Sequence, residues 1–270
     1  MTTELSLDVD GTEVLLQGQG EQVILMLHGW PDTRALWDDT VWALQDTHVC
    51  ARLTLPGFAK GAVRAMSLDE MTLFLRRVTN RISPRKPVIL MLHDWGCVFG
   101  YEFAVRHPER VSRVVAVDVG DHNSPRLQRS WGVREKSSVF VYQYWLALAW
   151  KIGGRFSPAL GNWMTRAMAA WLRCPTDPAS VSYRMNYPYA MQWFGTAGGF
   201  RRAAPVRLTM PLLYIYGARK PFMFHSPEWL EGVAAGQGNA VEGLPCGHWV
   251  MVSEPEAFQD CVRSWLDAVP

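Results

Sequence analysis

The sequence predicts an α/β chain: a mostly parallel sheet with helices on both faces, interrupted once by a helical insert. Three observations predict it. Short apolar runs alternate with segments of helical periodicity, the pattern of a sheet built by crossover connections. Several of those runs are apolar throughout, as strands buried on both faces are. Between about His122 and Ala204 the strand-like runs give way to a stretch rich in Trp, Tyr and Met. At 270 residues, 49 % hydrophobic and 19 % charged, the chain can bury one sizeable core and has no bias toward disorder.

Taken in order, Leu5, Leu7 and Val9 alternate with polar residues ahead of an Asp10-Gly11 turn. Val23 to Leu27 is an apolar strand that runs into His28-Gly29-Trp30-Pro31, and Asp32-Thr33 then opens a helix with Leu36, Trp37, Val41 and Leu44 inward. Pro31 fixes its own φ and removes a donor, and the peptide before it is expected to be cis. Val49 to Leu55 is the next strand, ended by Pro56-Gly57-Phe58. Ser67-Leu68-Asp69-Glu70 is a capping-box signature for a helix to about Ile82, with Met71, Phe74, Leu75 and Val78 at core spacing. Packing alone accounts for that helix.

Pro87 leads into the apolar strand Val88 to Leu92, which meets His93-Asp94-Trp95-Gly96 and then a helix from Trp95 to Arg106, closed by His107-Pro108. Val111 to Val119 and Pro211 to Tyr216 are two further strands. The last strand ends at Leu244, and Pro245-Cys246-Gly247-His248 connects it to a helix starting at Ser253-Glu254-Pro255-Glu256. A strand, a sharp turn and a helix around Asp94 make the context of a nucleophile elbow, which needs small neighbours two residues either side. Gly96 meets that need. Leu92 does not, unless its side chain points into the sheet. An isolated Asp at this place would otherwise be a helix N-cap, and His-Gly-x-Pro alone a strand-ending turn. His248 alone would be a structural histidine; the order of the three motifs argues for chemistry.

On His28-Gly29-Trp30-Pro31, His93-Asp94-Trp95-Gly96 and Gly247-His248 together, the chain resembles the α/β-hydrolases with an aspartate nucleophile, the group of epoxide hydrolases and haloalkane dehalogenases. The resemblance covers nearly the whole chain. It implies a core domain of residues 1–121 and 205–270 and an inserted helical cap of residues 122–204. It also implies that the amides of Trp30 and Trp95 form an oxyanion hole, that Asp94 attacks carbon to give an alkyl-enzyme ester, and that His248 activates water to hydrolyse it. Two lid tyrosines would protonate the alkoxide left by an opened epoxide. Val139-Phe140-Val141-Tyr142-Gln143 resembles the first such segment and Tyr183-Arg184 the second, with Tyr187 and Tyr189 as competing assignments. The loop Gly217-Ala218-Arg219-Lys220-Pro221-Phe222 lacks the carboxylate that epoxide hydrolases usually carry there. Haloalkane and fluoroacetate dehalogenases carry their acid after the strand that follows the elbow, and Asp118 resembles that position, with Asp121 as the other candidate. The run from Lys220 to His225 carries no assigned role.

The reading that follows is an epoxide hydrolase forming a vicinal diol. The alternatives are a haloalkane dehalogenase using the same nucleophile and a noncatalytic ligand receptor on the same fold. No cofactor or metal is required. A net charge of +2 without a basic run argues against nucleic acid or an anionic membrane as the main partner; a small apolar epoxide or haloalkane and water fit better. A homodimer is left open. Neither a signal peptide nor a membrane span is read at the start of the chain, which gives the cytoplasm as the expected location. Cys50, Cys97, Cys174, Cys246 and Cys261 are scattered without metal-ligand spacing and are expected to be reduced. Most of the insert's tryptophans, Trp131, Trp145, Trp150, Trp163, Trp171 and Trp193, are expected to pack it onto the core.

Overall fold

A computed structural model describes residues 4–59, 65–122 and 124–269. The elements in chain order are β1 (Leu5–Val9), β2 (Thr12–Gly18), β3 (Val23–Leu27), α1 (Asp38–Leu44), β4 (Val49–Leu53), α2 (Leu68–Ile82), β5 (Val88–His93), α3 (Trp95–Arg106) and β6 (Val111–Val117). Then come α4 (Pro125–Ser130), α5 (Val133–Arg155), α6 (Pro158–Trp171), α7 (Tyr187–Phe194), β7 (Leu212–Gly217), α8 (Pro227–Ala234), β8 (Ala240–Leu244), α9 (Val250–Ser253) and α10 (Pro255–Ala268). Among the described residues the strands form one sheet in the order β1-β2-β4-β3-β5-β6-β7-β8. β2 runs antiparallel to β1 and β4, and the pairs from β4 through β3, β5, β6 and β7 to β8 are parallel. The chain therefore has the α/β-hydrolase fold.

The apolar strands divide their residues between two cores, as the period of two requires. Val23, Leu25 and Leu27 of β3, with Val88, Leu90 and Leu92 of β5, face α2 and α3 in one core. Ile24, Met26, Ile89 and Met91 face α1 and α10 in the other. The first turn forms as expected, because Asp10 and Gly11 both take positive φ, the geometry of a tight hairpin. The Ser67 and Glu70 side chains complete the capping box of α2.

Three local differences from the sequence reading have physical causes. The helix expected from Thr33 begins as a 3₁₀ turn over Arg34–Trp37, with Thr33 as its cap, before α1 proper. β6 stops at Val117 rather than Val119, because Asp118 turns to φ 71°; its N–H still bonds the Ile215 carbonyl, and Val119 pairs only as an isolated bridge to Phe224. The last connection holds the short α9 before α10. Between β6 and β7, α4 to α7 and 3₁₀ turns supply the regular structure, with α5 packed on α6 and α7. Trp131 and Trp145 donate to the Met223 and Met164 carbonyls, whereas Trp163 and Trp171 are exposed. No helix among the described residues is long and apolar enough to cross a membrane.

Parallel strands end on one edge of the sheet, and that edge is where open α/β sheets place their sites. Here it gathers the turns after β3, β5, β6, β7 and β8.

Candidate active site

Asp94 sits between β5 and α3 at φ 51°, ψ −120°, a backbone conformation that costs a non-glycine residue about 1–3 kcal/mol. The turn is tight enough that a Cβ on Gly96 would lie 2.3 Å from the Leu27 carbonyl oxygen. Leu92 is accommodated differently: its side chain is buried against Gly100, where a Cβ would lie 2.4 Å from its methyl group. The room needed for Leu92 comes from the helix, one turn beyond the elbow.

The raised carboxylate meets the two expected amides. Asp94 Oδ2 accepts from the Trp30 N–H at 2.7 Å, and the Trp95 N–H lies beside the carboxylate. Burial pushes the Asp94 pKa up, and the nearby His248 and the two amides oppose that. The Trp30 amide is held in place by its neighbours. The Trp30-Pro31 peptide is cis. His28 donates through Nδ1 to the Gly29 carbonyl at 2.8 Å and accepts the Leu55 N–H on Nε2 at 2.9 Å, a neutral tautomer that burial enforces by lowering its pKa to about 4. The Trp30 indole donates to Asn186 Oδ1 at 2.7 Å, and Asn186 donates to Thr165 at 2.8 Å, which ties the turn to the helical insert.

His248 arrives from the loop after β8. Its Nε2 is 3.8 Å from Asp94 Oδ1, too far for a hydrogen bond, and its Nδ1 is hydrogen-bonded to Asp118 Oδ2. Asp118 is fully buried, and its Oδ1 accepts from the Gly217 N–H at 2.9 Å and from the Lys220 ammonium. Burial alone would raise the Asp118 pKa, but Lys220 and His248 bring it below the ordinary carboxylate value. Burial alone would lower the His248 pKa, and Asp118 and Asp94 carry it above its ordinary value. Asp121 is engaged elsewhere: it accepts from the Ser226 N–H at 2.7 Å, the Ser226 hydroxyl at 2.8 Å and the Ser124 hydroxyl, bracing the starts of α8 and α4. His93, beside Asp94, donates through Nε2 to the His248 carbonyl at 3.1 Å and holds the loop that carries His248.

A cavity of about 550 Å³ opens over Asp94, walled by Trp30, Tyr142, Tyr189, Phe224 and His248. A smaller lobe of about 80 Å³ on the far side of Asp94 is bounded by Trp95, Tyr142, Gln143, Tyr189 and Gln192. Tyr142, on α5, and Tyr189, on α7, therefore share both spaces with the carboxylate, their rings 6.2 Å apart edge to face. Tyr183 does not join them. It lies in a 3₁₀ turn with its ring on Gly153, whose added Cβ would lie 2.3 Å from that ring. Tyr187 is also packed away, stacked on Phe99 at 6.3 Å.

The Tyr142 hydroxyl is bonded in a defined sense. The Trp193 indole can only donate, and it bonds Gln143 Oε1 at 3.2 Å, so the Gln143 amide nitrogen is the atom that meets the Tyr142 hydroxyl at 3.0 Å. Tyr142 accepts that bond, leaving its own proton for the cavity. The Tyr189 ring stands edge to face on Trp95, with the centroids 5.1 Å apart. Burial raises both phenol pKa values, so both remain protonated at neutral pH. Gln143, His93 and Lys220 had no assigned role in the sequence reading. The signal for Lys220 was the missing carboxylate after β7.

Comparison with known proteins assigns the family. The alpha/beta hydrolase family model matches residues 24–260, and the chain belongs to that family. Epoxide hydrolase 1 of Caenorhabditis elegans is 23 % identical over 269 residues, covering 91 % of this chain and 65 % of that protein. The chain thus spans just under two thirds of that relative's length. The cis-3-alkyl-4-alkyloxetan-2-one decarboxylase of Xanthomonas campestris is 30 % identical over 277 residues, covering 92 % of this chain and 89 % of that one. The structure of a Bacillus megaterium epoxide hydrolase with an inhibitor is similar in fold, at TM-score 0.71 and 18 % identity over 97 % of this chain and 100 % of that one.

Proposed function

We propose that this chain is an epoxide hydrolase that opens an epoxide to a vicinal diol through an ester on Asp94. The observation that carries the reading is the pair Tyr142 and Tyr189, which face Asp94 across one cavity, Tyr142 with its hydroxyl proton uncommitted. Asp94 Oδ1 attacks a ring carbon, and the C–O bond breaks toward the two phenols, which hydrogen-bond the oxygen and supply its proton. An alkoxide is a much stronger base than a phenolate, so transfer runs downhill even from phenols whose pKa burial has raised.

The second step uses the other half of the site. Attack by a carboxylate needs no base, which suits the 3.8 Å gap between His248 and Asp94; the gap leaves the imidazole free to take a proton from water. The hydroxide adds to the ester carbonyl carbon, and the negative charge gathers on Oδ2, where the Trp30 and Trp95 amides hold it. Collapse then breaks the bond between the carbonyl carbon and Oδ1, and the imidazolium gives its proton to the departing alkoxide, which leaves as the diol. Asp118 keeps Nδ1 protonated and stabilises the imidazolium. Residues 122–204 act as the lid that carries both phenols. Esterification also neutralises Asp94, which removes one of the charges that hold the His248 pKa up, at the moment a neutral imidazole is needed.

A leaving halide finds poorer provision, because the Trp30 indole is bonded to Asn186. A second reading is favoured by the 30 % identical relative, a decarboxylase of alkylated oxetan-2-ones: the same nucleophile would then face a four-membered cyclic ester. The test is a single turnover of an aryl epoxide in heavy-oxygen water. Diol formation with label entering the Asp94 peptide is expected. Carbon dioxide release from an alkylated oxetan-2-one, with no diol from any epoxide, would move the assignment to the second reading.

A further inference from the structure

The reaction outlined above makes no use of Lys220. Its side chain is nonetheless withdrawn from solvent, 6 % exposed, with the ammonium 5.7 Å from the Phe224 ring centroid and bonded to Asp118 Oδ1. The other oxygen of that carboxylate faces His248 Nδ1. One buried carboxylate is thus divided between an ammonium and an imidazole that must gain and lose a proton. In a plain Asp–His pair, protonating the ring takes the pair from −1 to neutral, which a buried site favours. With an ammonium on the far oxygen, the same protonation takes the group from neutral to +1, which a buried site resists.

We propose that Lys220 is a positioning residue for ester hydrolysis: its ammonium, held on the far oxygen of Asp118, opposes imidazolium formation at His248 and keeps the ring neutral until water gives up its proton. The inference rests on the epoxide hydrolase reading of the same site. It also accounts for Lys220 standing in the loop after β7 beside the acid. An aspartate alone would fix the ring's orientation, whereas the aspartate with its ammonium fixes the orientation and moderates the basicity. The other titratable groups facing His248 are Asp94 and His93 at the end of β5 and Asp32 in the turn after β3. Asp94 favours the imidazolium until it is esterified. His93 is kept neutral by burial, which lowers its pKa far below the ordinary value. Lys220 itself faces His225 and Cys246, which burial also holds uncharged, at about 4 and about 11. After esterification, therefore, Lys220 is the charge in this group that works against the Asp118 carboxylate.

The experiment compares Lys220→Met and Lys220→Arg with the unaltered enzyme by NMR titration of the His248 imidazole and by the pH dependence of ester hydrolysis in single turnovers. Lys220→Met is expected to raise the His248 midpoint by about one pH unit. The acid limb of hydrolysis should move with it, while the alkylation limb set by Asp94 stays in place. Lys220→Arg should return both toward the starting values. If Lys220→Met does not fold, Lys220→Gln keeps a donor on Asp118, drops the charge and serves the same comparison. An unmoved His248 midpoint in a folded neutral variant overturns the inference, and so does a loss confined to KM, which would make Lys220 a substrate contact. The imidazole titration needs no turnover. Failure of the unaltered enzyme to form any diol would therefore sink the epoxide reading and leave the titration result standing.

Discussion

At the scale of single residues, the site separates groups that carry charge from groups that aim a proton. Asp94→Asn preserves the shape of the elbow and removes the nucleophile, so diol formation should fall by about 10³-fold or more while calorimetry still detects substrate binding. Tyr142→Phe and Tyr189→Phe should each slow ring opening by about 10²-fold, the range expected for a positioned acid. Tyr183→Phe should change it by no more than about twofold, since that ring lies on Gly153 outside the cavity. A rate for Tyr183→Phe as low as for Tyr189→Phe would refute the assignment of the second phenol. The two half-reactions should also separate with pH. Alkylation requires ionised Asp94, whose pKa lies above the ordinary carboxylate value, and hydrolysis requires neutral His248, which in the ester has lost the help of the Asp94 charge but is still favoured as imidazolium by Asp118. Lowering the pH between those two titrations should let the ester accumulate, and intact-protein mass after rapid quenching should detect the adduct there and not at alkaline pH.

At the scale of elements, what the sequence disclosed follows from how local each signal is. β3, β5, α2 and α3 were legible because apolar runs, a capping box and a His-Pro terminator are contained within a few residues. The choice between Tyr183 and Tyr189 was not legible, because it depends on which face of the short α7 turns toward the elbow, a matter of packing between α5, α7 and Trp95. Gln143 was equally hidden: its amide orientation is set by Trp193, fifty positions away in sequence and 3.2 Å away in space. Leu92 shows the converse, a departure at the elbow that Gly100 on the next element absorbs. Gly96 has no such relief, since the obstacle is the Leu27 backbone. Gly96→Ala should therefore destabilise the fold by about 3 kcal/mol or more, read as a lower urea midpoint with an unchanged slope.

At the scale of the whole molecule, the helical insert and the sheet are joined by polar contacts as well as apolar ones, and one of them is ionisable. Asp32 follows the cis proline, is 3 % exposed, and accepts from Thr176 of the insert and from the Trp249 indole at 2.9 Å, beside the base. Burial raises its pKa from the ordinary 3.8 to about 6, with Asp94 adding to the rise and the two donors opposing it. Between those values the folded chain keeps a proton that the unfolded chain has lost, so stability falls as pH rises through that window and is level above it. Asp118 behaves oppositely: its pKa is lowered on folding, so its contribution is present above the ordinary carboxylate value and fades as pH drops below it. The two can be told apart by substitution. Asp32→Asn retains the shape but offers one acceptor for two donors, a loss of about 1 kcal/mol that is the same at every pH. It also removes the burden of burying a charge, which exists only where Asp32 is ionised and amounts to about 3 kcal/mol. Relative to the unaltered protein, the variant should thus be less stable near pH 4 and gain steadily up to about pH 6, a trend that thermal melts across the range would reveal. A stability difference constant with pH would mean that Asp32 is ionised throughout, held to the insert and to the base loop as a charged pin.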